Sequence, residues 1–216
     1  MPFAEDRPAG AMVRPARRTD FADLARVAYD TGFFGESARL YFPDETLFAD
    51  LWIRPYVPLA LPGFVALLEG RVVGSILGAH DEGAYEAAIR RVAPALALRA
   101  AFGGYPKLPA CLPYLARLAR YAVPHASPHA FPAHLHINVL ASARGLGLGA
   151  RLLDAYLDSL RQAGVRGVQL SATRRNEAAL RLYESRGFRV HEARVTPLWR
   201  PWTGRDETHV VMARSL

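Results

Sequence analysis

A glycine-rich turn near the centre of the chain carries the strongest chemical signal in the sequence. Glycines recur at every second position after an arginine, and an apolar helical pattern begins directly behind them. Glycine lets backbone amides approach a ligand closely, and the amides that open a helix lack intrahelical partners and favour an anion. Arg144 and Arg151 add fixed positive charge. The sequence therefore predicts a diphosphate site on Arg144-Gly145-Leu146-Gly147-Leu148-Gly149-Ala150.

The stretch before the turn predicts a β-strand with an apolar and a polar face, because apolar and polar residues alternate from His134 to Val139. His134 and His136 share the polar face. Imidazole titrates near neutral pH, so either side chain suits a general base that takes a proton from a nucleophile. The alternative, that both are hydrogen-bonded structural residues of a half-buried strand, carries nearly equal weight.

The residues from Ala150 onward predict a helix, and their order separates three kinds of glycine turn. A P-loop requires Gly-Lys-Ser/Thr at the helix start, but Ala150 and Arg151 follow Gly149. A dinucleotide turn has the form Gly-x-Gly-x-x-Gly, whereas the glycines here alternate. The form that remains is Arg-x-x-Gly-x-Gly. Apolar residues at spacings of three and four predict the buried stripe of the helix: Leu152, Leu153, Tyr156, Leu157 and Leu160.

A second motif follows about 20 residues further along the chain. The range Val168–Ala172 predicts a strand, Asn176 is a typical helix N-cap, and Gly187 is the residue type that ends a helix in the left-handed conformation. Tyr183 lies on the helix between them. Taken alone, Tyr183 is more typical of a core-facing helix aromatic than of a catalytic group.

Together the two motifs resemble those of the GCN5-related N-acetyltransferase (GNAT) superfamily. The resemblance implies an acyl-CoA-dependent N-acyltransferase that binds acetyl-CoA and transfers its acetyl group directly to a primary amine of a small molecule or peptide. It implies that Tyr183 protonates the departing thiolate and that amides near Val139 and Leu140 bind pantetheine and the carbonyl. The implied cofactor-binding residues are Val139, Leu140, Arg144, Gly145, Leu146, Gly147, Leu148, Gly149, Ala150, Asn176 and Tyr183.

The resemblance also implies the fold class, an α/β (α+β) GNAT fold. It predicts a mixed, mostly antiparallel central sheet of roughly six or seven strands, splayed at the fourth and fifth strands and flanked by helices. Residues 1–11 are expected to form a flexible tail and residues 12–216 a single domain. Within it, residues 81–133 predict a helical insertion between strands three and four. A lid or a wall of the acceptor pocket is its preferred role, with a dimerisation arm as the rival.

A narrower resemblance is to the acetyltransferase-like domain linked to O-GlcNAc hydrolases and to its free-standing bacterial relatives. It rests on Gly35-Glu36-Ser37-Ala38, on the long insertion and on His134-Leu135-His136-Ile137. That group continues with Asp and Pro where this chain has Asn138 and Ala141. The region between the first two strands forms one wall of the acceptor site in the superfamily, which makes Glu36 the alternative general base.

Composition bounds the remaining alternatives. At 216 residues and 51% hydrophobic content the chain is expected to form one domain with a full core. No apolar run predicts a membrane span and Cys111 is the only cysteine, so a cytoplasmic protein is expected. The histidines at 125, 129, 134 and 136 form a weak ligand set, and no metal is expected.

The net charge of +7 raises the question of a nucleic-acid partner. The arginines are scattered along predicted helices without a basic run, so no nucleic-acid partner is expected. The ranked alternatives to a transferase are an acetyl-CoA-binding module without transfer activity and, distantly, a nucleic-acid-binding protein. The identity of the acceptor and the oligomeric state stay open, with a homodimer as one alternative.

Overall fold

A seven-stranded mixed sheet forms the centre of the computed structural model, which describes residues 10–121 and 124–216. The strand order is β1-β2-β3-β4-β5-β7-β6, and only β4 and β5 run parallel to each other. The predicted fold class is confirmed. The strands are β1 (Ala11–Pro15), β2 (Gly63–Leu68), β3 (Arg71–Ala79), β4 (Ala133–Val139), β5 (Gly167–Thr173), β6 (Arg189–Thr196) and β7 (Glu207–Ser215).

Seven α-helices flank this sheet in the described part of the chain. They are α1 (Phe21–Thr31), α2 (Glu45–Trp52), α3 (Glu82–Ala101), α4 (Leu108–Arg120), α5 (Leu148–Gln162), α6 (Glu177–Ser185) and α7 (Arg200–Thr203). Of the predicted tail of residues 1–11, residues 1–9 lie outside the described residues, whereas Ala11 begins β1 and pairs with Leu68. The helix α7 is a single turn of four residues.

Apolar clusters fill both faces of the sheet. The stripe predicted on α5 is fully buried against one face, together with side chains of β4, β5 and α6. The opposite face is covered by α1, α2 and the insertion, whose cluster is rich in aromatic rings. Because each strand alternates its side chains between the two faces, the polar face of β4 points toward this second layer.

The insertion consists of α3 and α4, and two buried carboxylates fix it to α2. Asp44 caps α2 by accepting the Leu47 N–H at 2.9 Å and also accepts the Lys107 N–H at 2.9 Å. Asp50 accepts hydrogen bonds from the Tyr105 hydroxyl at 2.7 Å and from the Arg99 guanidinium at 3.0 Å. The helix α3 begins at Glu82, so this carboxylate lies in its first turn.

The strands β4 and β5 separate after two residue pairs. Their parallel pairing is confined to Ala133 with Val168 and His134 with Gln169. In the neighbouring ladder, the Leu140 N–H donates to Val73 O at 2.9 Å, so alternation turns the amides of Ile137 and Val139 away from β3 and into the gap. The splay predicted at the fourth and fifth strands is therefore present, and it leaves backbone groups open to a ligand.

The strands β3 and β4 and the helix α5 approach one another closely at Gly78. This contact predicts the effect of a substitution on stability. A Cβ atom at Gly78 would collide with His134 O and with the Tyr156 hydroxyl, which donates to that same carbonyl at 3.0 Å. We expect Gly78→Ala to destabilise the fold by about 2 kcal/mol or more in chemical denaturation, because neither contact can move independently. Gly70→Asn is the control, since a Cβ there meets nothing within 4 Å and Asn tolerates positive φ. Equal stability of the two variants would contradict the contact.

Candidate active site

The glycine-rich turn presents a row of unpaired backbone amides. The first amide of α5 that bonds within the helix is that of Arg151, which donates to Gly147 O at 3.1 Å. Among the described residues, no backbone carbonyl accepts from the six amides of residues 145–150. Gly145 and Gly147 have φ values of 78° and 70°, and a Cβ at either position would meet open space. Unpaired donors at a helix N-terminus fit a phosphate group.

Arg144 holds this turn in place. Its Nε donates to Val139 O at 3.2 Å, and its terminal nitrogen donates to Gly35 O. The guanidinium therefore connects the end of β4 to the loop after α1, besides supplying the positive charge that the sequence predicts. Arg151, by contrast, reaches Ala11 O at 3.4 Å, so its charge lies toward β1.

The end of β4 offers one of the two amides that the resemblance implies. Val139 lies at a position whose N–H and C=O face the gap between β4 and β5, as the register with β3 shows. The Leu140 N–H donates to Val73 O at 2.9 Å and is therefore engaged within the protein. The second amide that faces the gap belongs to Ile137, two residues before Val139. Sequence alternation predicts the strand but does not fix which amides face a ligand.

A cleft of about 410 Å³ opens from this gap toward the aromatic layer. Its floor is the polar face of β4 and β5, and its walls come from the loop after α1, the insertion and the segment before α7. Among the described residues that line the cleft, Glu82 carries the only carboxylate and there is no lysine or arginine. The cleft is therefore aromatic and nearly free of formal charge.

His134 is held by partners at both ring nitrogens. Its Nδ1 donates to the Glu82 carboxylate at 2.9 Å, and its Nε2 accepts from the Tyr56 hydroxyl at 2.9 Å. The ring of Tyr85 lies against it with centroids 4.5 Å apart. The hydrogen bond from His134 lowers the pKa of Glu82. His134 therefore has the hydrogen-bonded role that the sequence left as the alternative, with no nitrogen free for a substrate.

His136 lies next to it and is open to the cleft. The centroids of the two imidazole rings are 5.8 Å apart, and the His136 side chain is exposed to the cleft. Although the side chain is open to the cleft, the surrounding protein removes part of its solvent, and this desolvation, with His134 and His125 nearby, lowers the pKa of His136 below its ordinary value. The imidazole is therefore uncharged at neutral pH, which is the form that accepts a proton.

Glu36, the alternative base, does not reach the cleft. Its backbone pairs with Phe33 across a tight turn, and its side chain is exposed outside the residues that line the cavity. The neighbouring Gly35 does line the cleft. The structure therefore brings the loop around Glu36 to the site, as predicted for this wall, but not the carboxylate itself.

Two residues of α6 complete the side of the cleft next to the glycine turn. Asn176 caps the helix as predicted, with its side-chain oxygen accepting the Ala179 N–H at 3.3 Å, and this leaves its amide nitrogen available to donate. Tyr183 is 6% exposed and packs beside Phe188, yet it also lines the cleft. Burial raises the pKa of Tyr183, so its phenol keeps its proton at neutral pH.

Several cleft residues carry no motif that would have marked them in the sequence. Glu82 and Tyr56 reach His134 from 52 and 78 positions away, and His209 and Thr173 line the cavity from β7 and β5. The one usable signal was polarity at strand positions that would otherwise be buried.

Among the described residues no group of three or more His, Cys, Asp or Glu side chains could hold a metal ion. None of the described helices has the length and apolar character needed to cross a bilayer.

Comparison with known proteins agrees with this geometry. The family model described as Acetyltransferase (GNAT) family matches residues 117–188. The crystal structure of SsHAT is 25% identical, with a TM-score of 0.68 over 95% of this chain and 98% of that chain. The putative acetyltransferase yncA of Salmonella typhimurium, determined with its cofactor acetyl-CoA, is 16% identical, with a TM-score of 0.60 over 96% of this chain and 94% of that chain.

A curated relative matches a shorter stretch. Mycothiol acetyltransferase of Geodermatophilus obscurus is 47% identical over 58 residues, which make up 27% of this chain and 18% of that enzyme. Residues 117–188 therefore match the GNAT acetyltransferase family, and the fold is similar to that of solved structures such as SsHAT.

The hydrogen bond between Glu82 and His134 predicts a pH-dependent contribution to stability. Because His134 lowers the pKa of Glu82 below its ordinary 4.5, the ionised carboxylate stabilises the fold above that pH, and the contribution is lost as the pH falls through the lowered value. We expect Glu82→Gln to reduce the Tm at about pH 7 and to reduce it less at about pH 3. Thermal unfolding of the wild type and the variant at both pH values measures the difference in Tm. An equal difference at the two pH values would show that the carboxylate charge is not involved.

Proposed function

We propose that the protein is an acyl-CoA-dependent N-acetyltransferase that transfers acetyl from acetyl-CoA directly to a primary amine. The observation that carries the proposal is that the cleft passes through the splay: His136 and Ile137 of β4 and Asn176 and Tyr183 at α6 all line it. The unpaired amides of residues 145–150 follow β4 in the chain. Bound acetyl-CoA supplies a thioester carbonyl that an amine can attack and a thiolate that can leave. The chain's own residues supply binding, orientation and proton transfer.

The amides of residues 145–150 are assigned to the diphosphate of CoA. They point outward at a helix N-terminus, where the helix dipole adds to their attraction for an anion. Asn176 offers its free amide nitrogen from the facing end of α6. Arg144 keeps the turn tied to β4 through Val139 O, so the cofactor and the splayed strand are positioned together.

The amides at the end of β4 are assigned to pantetheine and to the thioester oxygen. Val139 N–H and Ile137 N–H face the gap, where β5 has already diverged and cannot pair with them. Fixed donors aimed at a developing oxyanion are among the strongest contributions to acyl transfer. Leu140, which the resemblance also implied, contributes through its contact with the aromatic layer rather than through its amide.

His136 is assigned as the general base and His134 as the residue that positions it. The attacking amine forms the new N–C bond as the C–S bond breaks, and His136 takes the proton that the nitrogen loses. His134 has no free nitrogen, since Glu82 and Tyr56 engage both. Tyr183 retains its proton and gives it to the thiolate sulfur, after which solvent returns a proton to Tyr183 and removes one from His136.

The finer predictions from the sequence belong to this proposal as well. They are the similarity to the O-GlcNAc-hydrolase-linked domain, a cytoplasmic location, a homodimer and a single domain over residues 12–216. The insertion is assigned to the acceptor wall because Glu82, Tyr85 and Tyr114 all line the cleft. Acetyl-CoA binding without transfer is the rival function.

The anion site can be tested with two substitutions of equal shape. Gly147 has φ of 70°, a conformation that Asn and Asp both tolerate, and its surroundings are open. We expect Gly147→Asp to weaken acetyl-CoA binding about tenfold or more relative to Gly147→Asn, because only Asp places a negative charge on the amides. Isothermal titration calorimetry measures both affinities. Equal affinities of the two variants would show that the diphosphate does not bind at this turn.

The assignment of base and acid predicts a kinetic pattern. We expect His136→Ala and Tyr183→Phe each to lower kcat about 100-fold while the KM for acetyl-CoA changes little, since both act on protons rather than on cofactor binding. Glu36→Gln, at an exposed carboxylate outside the cleft, is the control and should keep wild-type rates. Thiol release measures the rates of all three variants. A wild-type kcat in His136→Ala would show that another group is the general base.

The pH profile tests the same base from a second direction. Because its surroundings lower the pKa of His136, the imidazole stays unprotonated at about pH 6.5, where an ordinary histidine titrates. We therefore expect a plot of kcat against pH to show no fall in kcat as the pH is lowered through that value. A fall there that disappears in His136→Ala would show that the imidazole titrates normally.

A further inference from the structure

The far side of the cleft contains polar groups with no partner in the protein. Among the described side chains, the buried atoms without a hydrogen bond are Thr173 Oγ1, Trp199 Nε1 and both ring nitrogens of His209. All three residues are more than nine-tenths buried, and all three line the cleft. Leaving such groups unpaired is costly, so a ligand that forms hydrogen bonds with them is bound more tightly.

Two of these groups lie side by side. Thr173 of β5 and His209 of β7 are directly opposite in the register, at a position where the two backbones do not bond to each other. Side chains at such positions approach to about 5 Å between Cβ atoms. Trp199 enters the same cleft from the segment before α7. These three groups of the cleft are here called the polar subsite.

The polar subsite lies on the acceptor side of the sheet. Thr173 shares its strand face with Gln169, which bonds to Ala126 and Phe131 in the segment that follows α4. The alternate residues Val168 and Leu170 face α5 and α6 instead. The subsite is therefore on the same face as His136, away from the layer of helices that carries the anion site.

The surroundings favour a ligand group without charge. Burial lowers the pKa of His209 to about 4, so its imidazole is neutral and offers one donor and one acceptor. No lysine or arginine lines the described part of the cleft, and Glu82 already bonds to His134. A carboxylate, a phosphate or a second ammonium would be desolvated there without a counterion.

Aromatic rings fill the space around the subsite. Trp199 makes edge contacts with Phe34 and Tyr41, with ring centroids 5.2 Å and 5.0 Å apart, and Tyr114 lies 5.2 Å from it. All four rings line the cleft. Flat apolar surfaces bind the body of a ligand through burial and ring contacts.

We infer that the acceptor is a small monoamine with a flat apolar body and one uncharged hydrogen-bonding group, such as a hydroxyl, which the polar subsite of Thr173, His209 and Trp199 binds. The inference rests on the proposed function and specifies its acceptor. The amine reaches His136 at the splay while the far end of the molecule occupies the polar subsite. Amino acids, polyamines and aminoglycosides are poor acceptors because each buries a charge that the cleft does not pair.

The test compares two probe amines that differ by one hydroxyl, tyramine and 2-phenylethylamine. The measured quantity is the ratio of their kcat/KM values with acetyl-CoA as the donor. The release of the CoA thiol is the signal that is recorded. We expect the ratio to exceed about ten in the wild type, because a site built for a hydroxyl penalises an analogue that lacks it. Thr173→Val and His209→Phe, which remove the partners, should bring the ratio to about one.

Thr208→Val is the matched control. Thr208 precedes His209 on β7, and alternation places its side chain on the opposite face of the sheet. It should keep the wild-type ratio. Thermal unfolding checks that every variant is folded, and we expect Thr173→Val to lose no stability, since its hydroxyl has no partner to lose.

The remaining outcomes separate the inference from the function on which it rests. If acetyl-CoA binds and thiol is released, but the wild-type ratio is near one, or a peptide, an amino acid or spermidine is the better acceptor, the inference is overturned and the transferase stands. If acetyl-CoA does not bind, or no amine releases thiol, both are overturned.

Discussion

The separation of β4 and β5 is the constraint on which the rest of the structure depends. Two parallel pairs join the strands, and beyond them Ile137 and Val139 direct amides into a gap that no strand fills. Unpaired backbone groups inside a protein are costly, so the gap is stable only if solvent or a ligand pairs with them. The gap also connects the anion site on one side of the sheet with the aromatic cleft on the other.

The insertion gives the cleft its chemical character. Its anchors on α2 are the buried carboxylates Asp44 and Asp50, which hold α3 and the turn before α4 against the body of the domain. From this position α3 brings the Glu82 carboxylate to His134, so His134 is engaged while the neighbouring His136 faces the cleft. An aromatic, nearly uncharged cleft next to an anion site separates the polyanionic cofactor from an acceptor of different chemistry.

The parts of the site that follow from local sequence could be predicted, and those that depend on distant contacts could not. The glycine turn, the stripe on α5 and the Asn176 cap each lie within a few residues, where periodicity and capping rules apply. Which histidine is free depends on Glu82, far away in sequence, and the engaged amide of Leu140 depends on the register with β3. The polar subsite joins β5 to β7, and only the tertiary structure brings them together.

A crystal structure of the protein with acetyl-CoA tests the central claim most directly. The account predicts diphosphate oxygens within about 3 Å of amides in residues 145–150 and the thioester oxygen at the same distance from Val139 N, with β4 and β5 still apart. His136 should then face the carbonyl carbon from the acceptor side. Cofactor bound away from the glycine turn, or β4 and β5 joined along their length, would contradict it.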